Sequence, residues 1–173
     1  LRLSLPSEYQ SVFSYFKEKP ATARIALLPV YTFWNWQYRT WNHRGSGFLW
    51  YGIPQPILER AFDPWSLSNE QYFNELSSAI NREDSDGVKR VLRKYAVQYV
   101  LIDTTLLNTL SRQPINFTNL ETFLTDKVQL QKEAKYGKIL IYSVPFGTQP
   151  MNTVPLTSIT QTTNQPLTGR NIG

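Results

Sequence analysis

The sequence predicts an α/β fold: a small, three-layer-like domain with a mixed sheet of central parallel strands plus a C-terminal hairpin, and a long aromatic loop. Three observations lead there. Residues 25–28 and 97–102 are short apolar runs without alternation, Gln98 aside, as strands covered on both faces are. Each follows a helical pattern, and helix before buried strand, twice over, is the α/β arrangement with a parallel pair. Residues 128–134 and 138–144 flank Lys135-Tyr136-Gly137, a hairpin with glycine at its turn.

The first helix opens at Leu5-Pro6-Ser7, where Ser7 and Gln10 have capping-box spacing, and Tyr9, Val12, Phe13 and Phe16 share one face. Pro20 ends it. The run 25–28 is closed by Pro29. From Tyr31 to Pro56 neither period holds, and the segment is crowded with Trp, Gly and Pro. Irregular loops of that length are functional or covered by something. Helical signals return at Asp63-Pro64 and at the box Ser68–Gln71, ahead of Tyr72, Phe73, Leu76, Ala79 and Ile80. Asp84-Ser85-Asp86 then caps a helix whose apolar stripe is Val88, Val91, Leu92 and Tyr95, with Lys89, Arg90, Arg93 and Lys94 opposite. Thr118 and Glu121 have the spacing of one more box. Residues 1–147 are read as the domain. Residues 148–173, rich in Thr and Pro with Arg170 as their one charge, are read as a polar tail or exit segment pinned by Val154, Leu156 and Ile159.

A chain of 173 residues, 41% hydrophobic and 18% charged, is too apolar to stay disordered and long enough to bury a core. The absence of cysteine excludes disulfides, thiolate zinc sites and cysteine nucleophiles, and the single His43 excludes a His-paired metal site. No apolar run reaches the roughly 18 residues of a membrane span. The one methionine is Met151, so the chain is expected to be a piece of something longer. A formal charge of +5 favours anionic ligands or surfaces without choosing among them.

Aromatic residues reach 14%, and they concentrate in one loop: Tyr31, Phe33, Trp34, Trp36, Tyr38, Trp41, Phe48, Trp50 and Tyr51, with Arg39 and Arg44 but no carboxylate. Flat rings beside amides and guanidinium groups suit sugar stacking. They suit equally a membrane interface, stacked single-stranded bases, or a small second core folded over the sheet. Arg44-Gly45-Ser46-Gly47 reads as a backbone nest or a plain turn, and lacks the Lys-Ser/Thr of a P-loop. His43 beside it reads as an acid–base group or a packed ring. Asp84-Ser85-Asp86 matches the D-x-D spacing of metal-held sugar nucleotides, but capping accounts for it. Asp103 ends a predicted parallel strand, where α/β ligand sites gather, or else caps a following helix. Asn116-Phe117-Thr118 is a glycosylation sequon.

The order of these pieces resembles a known family. Leu5-Pro6-Ser7-Glu8-Tyr9 precedes Ala23-Arg24-Ile25-Ala26-Leu27-Leu28-Pro29. The aromatic loop follows, then the stretch from Leu92 to Asp103, and last the hairpin from Leu130 to Val144. Over residues 5–145 this is similar to the extracytoplasmic soluble regions of polytopic GT-C-type glycosyltransferases and related bacterial membrane proteins. In that family the catalytic acids lie in loops of the membrane portion, and nothing here matches them. The resemblance therefore implies a noncatalytic extracytoplasmic domain that is joined to the membrane portion of the same polypeptide and either supports it or contacts glycan or lipid-linked sugar. No catalytic residue, metal ligand or cofactor is assigned, and nucleic acid is disfavoured for want of a recognised module. The candidate binding residues are Trp34, Trp36, Arg39, Trp41, His43, Arg44, Trp50 and Asp103, with at least two tryptophans expected in one exposed patch rimmed by Arg39, His43 and Arg44. The alternatives are a free sugar- or phosphosugar-acting enzyme using Asp103 and the loop, or a module binding single-stranded nucleic acid.

Overall fold

A computed structural model describes residues 4–30, 36–59, 66–108 and 114–147. The chain runs α1 (Ser7–Lys17), β1 (Arg24–Leu28), β2 (Gln37–Tyr38), β3 (Arg44–Gly45), a 3-10 turn (Phe48–Tyr51) and β4 (Ile57–Leu58). It continues through α2 (Leu67–Asn81), α3 (Ser85–Lys94), β5 (Val97–Asp103), α4 (Phe117–Thr122) with a π-helical turn (Phe123–Lys127), β6 (Gln131–Tyr136) and β7 (Ile139–Ser143). Five strands form one sheet in the order β4-β1-β5-β7-β6, and β2 and β3 make a separate two-stranded ribbon. β1 lies parallel to both β4 and β5, whereas β7 is antiparallel to β5 and β6. The predicted mixed sheet is the one observed.

Its two apolar runs are central because each residue has a covered side. Ala26, Leu28, Val100, Ile102, Leu140 and Tyr142 face α2, α3 and the α4 turn. Ile25, Leu27, Leu101, Ile139 and Ile141 face α1, where Tyr9, Val12 and Phe16 meet them. The result is three layers. Leu27→Ala should lower stability by about 2–4 kcal/mol, since a buried leucine leaves both lost transfer energy and a cavity. Chemical denaturation checks this, and a loss under about half a kcal/mol would mean the strand is not covered.

Several sequence expectations need correction. Ser7 is the first helical residue of α1 and Pro6 its cap, with no side-chain cap bond, so the Ser7–Gln10 box does not form. Helix α2 is capped by Ser66, which accepts from Asn69 N at 3.4 Å, and not by Ser68. Helix α4 is capped by Asn116, whose Oδ1 accepts from Asn119 N at 3.0 Å, while Glu121 turns to Tyr142 Oη (3.2 Å) and Lys132 Nζ (3.4 Å). Asparagine caps better than threonine, and the glutamate is drawn to the sheet instead of back along its helix. Asp84 does cap α3, accepting from Gly87 N at 2.8 Å. Strand β6 begins at Gln131, later than Val128, because the chain leaves the π-helical turn through Gln129 at φ 65°. The loop after β1 also hides an edge strand, β4, too short between prolines to show any period. The Asp63-Pro64 start, Trp34 and the tail with Val154, Leu156 and Ile159 lie outside the described residues.

Candidate functional site

Strand alternation puts Asp103, the last residue of β5, on the same face as Tyr99 and Leu101, toward α1. There Tyr9, in the first turn of α1, donates its hydroxyl to Asp103 Oδ2 at 2.7 Å. The third element is the ribbon. Arg39 bridges antiparallel to Leu106, and Thr40 N donates to Thr105 O at 2.9 Å, which draws the ribbon across the carboxyl end of β5. A tight turn follows, with Arg39 N donating to His43 O and Asn42 holding φ 67°, a conformation asparagine tolerates.

Arg39 is thereby delivered inward, 2% exposed, with Nε donating to Asp103 Oδ2 at 3.0 Å. Thr105 supplies the other carboxylate oxygen, its backbone N donating to Oδ1 at 2.9 Å and its hydroxyl at 2.6 Å. Arg39 also donates from Nη2 to Gln37 Oε1 and from Nη1 to His43 Nδ1, the latter at 3.1 Å. Trp41 Nε1 donates to Tyr9 Oη at 3.2 Å. Phe48 closes the cluster edge-on to Tyr9 and Trp41, with the Arg39 guanidinium 4.5 Å from its ring centre. Burial, and then the adjoining Asp103 charge, hold the Tyr9 hydroxyl far above its ordinary range, so it stays a donor.

Chemically this is a clasp. A carboxylate has about four acceptor directions, and Asp103 has all four filled. It does not cap a helix, because residues 104–107 turn back toward the ribbon. Guanidinium can only donate, so His43 Nδ1 accepts and the neutral ring carries its proton on Nε2. Burial, with Arg39 adding to it, lowers the His43 pKa below its ordinary 6.5. The folded protein therefore prefers the neutral ring, and between that lowered value and 6.5 the unfolded chain binds more protons. Stability should be full above about pH 6.5 and decline as pH falls through the window. Denaturation midpoints measured across it should show a step that His43→Gln removes. A wild-type curve without that step would mean the ring titrates alike in both states.

The candidates thus divide. Arg39, Trp41, His43 and Asp103 come together, with Arg39 buried on Asp103 and not at a rim. Trp36 is exposed, whereas Trp41 and Trp50 are half-buried. Arg44 lies exposed on β3, its guanidinium 5.9 Å from the Tyr38 ring centre. The Arg44–Gly47 stretch is part of a ribbon and a turn, with Gly47 at φ 72°. Tyr9, Gln37, Phe48 and Thr105 belong to the cluster but were not among the candidate binding residues. The available signal was Tyr9 on the core stripe of α1, since a buried tyrosine hydroxyl needs a partner. Among the described residues no group of His, Asp and Glu could hold a metal ion, and no helix is long and apolar enough to cross a membrane.

A covered mixed sheet, with its carboxyl end closed by a ribbon, defines the class of fold. No family model matches the sequence, and no curated protein matches it. Among solved structures the chain is similar to part of the arabinofuranosyltransferase AftD from mycobacteria, with a TM-score of 0.67 and 14% identity over 84% of this chain and 13% of that one. A structure of an AftD mutant gives 0.66 and 15% over 86% and 13%. The C-terminal globular domain of an oligosaccharyltransferase from Archaeoglobus fulgidus is a weaker likeness, 0.47 at 10% identity over 82% of this chain and 99% of that one. The fold is one that occurs within an arabinofuranosyltransferase, and this chain spans 13% of that enzyme's length.

Proposed function

We propose that residues 1–147 are a noncatalytic domain of a GT-C-like membrane glycosyltransferase, placed on the extracytoplasmic side. In this reading the domain supports the membrane portion and meets glycan or lipid-linked sugar through the aromatic loop, and residues 148–173 lead away from it. The observation that carries the reading is the saturated Asp103. It stands where α/β folds gather their ligand sites, yet offers no free oxygen to a reacting group. The fold shared with part of AftD supports the same context.

Two results test it. The coding sequence flanking residues 1–173 should contain apolar segments of about 20 residues, each able to span a bilayer. A reading frame confined to these residues would overturn the membrane context. The purified chain should quench or shift its tryptophan emission on adding a polyprenyl-phosphate-linked sugar, without forming product. Product formed by the chain alone, and lost in Asp103→Asn, would establish the free sugar-acting enzyme instead.

A further inference from the structure

The ribbon over the clasp has its alternation inverted. A ribbon lying on a core normally buries its apolar face and shows water the other. Here Gln37, Arg39 and Leu106 point inward, at 1%, 2% and 3% exposure, so two of the three inward positions are polar. The outward positions carry Trp36, 45% exposed, Leu107, 44% exposed, and half-buried Tyr38. Pairing places these side chains together. Leu107 N donates to Tyr38 O at 2.8 Å, and on the other side Tyr38 is in register with Arg44. Directly opposed residues of antiparallel strands project to one face, so Arg44, Tyr38 and Leu107 form a row beside Trp36. Buried polar groups with apolar ones outside are the informative inversion, because burial alone would have ordered them the other way.

Among the described residues, bases outnumber acids beside this row. The hairpin turn lies at the same end of the sheet, since Thr104 donates both its backbone N (3.0 Å) and its hydroxyl (2.7 Å) to Lys138 O. Exposed Arg44 and Lys138 lie at that end, and so does half-buried Glu8, packed against Gly137 beside the turn. Asp103 adds no open negative charge, because Arg39 covers it. We propose that this face, Trp36, Tyr38 and Leu107 flanked by Arg44 and Lys138, docks on the headgroup layer of an anionic bilayer. Trp and Tyr sit at headgroup depth, leucine enters the acyl boundary, and the cations meet lipid phosphate. Leu107 suits the acyl boundary, since it offers neither a ring to stack on nor a hydrogen bond. The amino end of α1 lies at this end too, through Tyr9 on Asp103. The inference rests on the proposed reading only for the presence of a membrane; vesicle binding and flanking sequence fail separately.

The test is flotation of the 173-residue chain with phosphatidylcholine vesicles, with and without phosphatidylglycerol. The chain should float with the anionic vesicles, and added salt should release it. Arg44→Ser should weaken binding about fivefold, the ratio given by about 1 kcal/mol per cation near the surface. Trp36→Ser with Leu107→Ser should weaken it by roughly tenfold or more, with binding read well below each variant's melting temperature because these side chains are a little under half exposed. Nitroxide-labelled lipid should quench the parent's tryptophan emission more than that of Trp36→Phe. Failure to float with anionic vesicles overturns the proposal, as does binding indifferent to the double variant. A concentration-dependent dimer abolished by the double variant, with no vesicle binding, would make the face a contact between copies and equally overturn it.

Discussion

Arg39→Met should destabilise the domain by about 3–5 kcal/mol, the cost of leaving a buried charge without its partner. The Arg39 and Asp103 side chains are 1% and 0% exposed, so water cannot replace the lost guanidinium. Tyr9 and Thr105 would still donate to the carboxylate, but three neutral donors do not balance its charge. Against a typical total of about 5–15 kcal/mol this is a large share, so the denaturant midpoint should fall sharply. Three surface pairs among the described residues make the contrast. Lys94–Glu75 is shorter, at 2.6 Å, yet its side chains are 53% and 36% exposed. Removing it should cost about 0–1 kcal/mol. The double variant Arg39→Met with Asp103→Leu should regain part of the loss, because an apolar pair carries no buried charge. It should not regain all of it, since Tyr9 and Thr105 would lose their acceptor. A loss below about 1 kcal/mol for Arg39→Met would mean the clasp is wet and the ribbon held by other contacts.

The same pair marks where sequence reasoning stops. The strands were legible because their cause is local: four or five consecutive apolar residues can be buried only if both faces are covered, and Ile25, Leu27, Val100 and Ile102 behave so. The hairpin was legible because Gly137, at φ 55°, supplies the backbone its turn requires. The clasp joins positions 39 and 103, and no periodicity connects residues that far apart. Composition also misled. A run of Trp and Tyr with two arginines invites the picture of rings forming a surface and cations edging it. The ribbon instead separates its residues by parity, sending Arg39 inward and Trp36 outward. That pattern was present in Trp36-Gln37-Tyr38-Arg39, but it could be read only once the inward side was known to hold a carboxylate. The helix starts were misplaced for a smaller reason. Ser66 and Asn116 stand two residues before the Ser and Thr of the expected boxes, and competing caps at that distance are settled by tertiary contacts such as Glu121 with Tyr142.

Phe16→Ala should cost about 3–5 kcal/mol, because a fully buried aromatic ring leaves a cavity that the surrounding sheet cannot close. Phe16 lies at the end of the α1 stripe begun by Tyr9 and Val12, and its ring stands edge-on to Tyr15 at 5.2 Å and to Tyr99 at 5.7 Å between centres. Both neighbours are partly held by that contact, and Lys19 in turn sits 4.5 Å over the Tyr15 ring. Backbone contacts limit how far the helix could sink into the gap. Gln55 Nε2 donates to Phe16 O at 2.7 Å and to Lys19 O at 3.1 Å, pinning the last turn of α1 to the segment before β4. Collapse would break those bonds, so the cavity should persist and the loss should fall in the upper part of the range. Phe13 provides the control. It is only partly buried, so Phe13→Ala should cost clearly less, even though its ring packs against Gly52. Equilibrium denaturation of the two variants, with m-values compared, separates a cavity from a loosened helix. An equal loss at both positions would show that α1 docks as a uniform apolar face and not through Phe16.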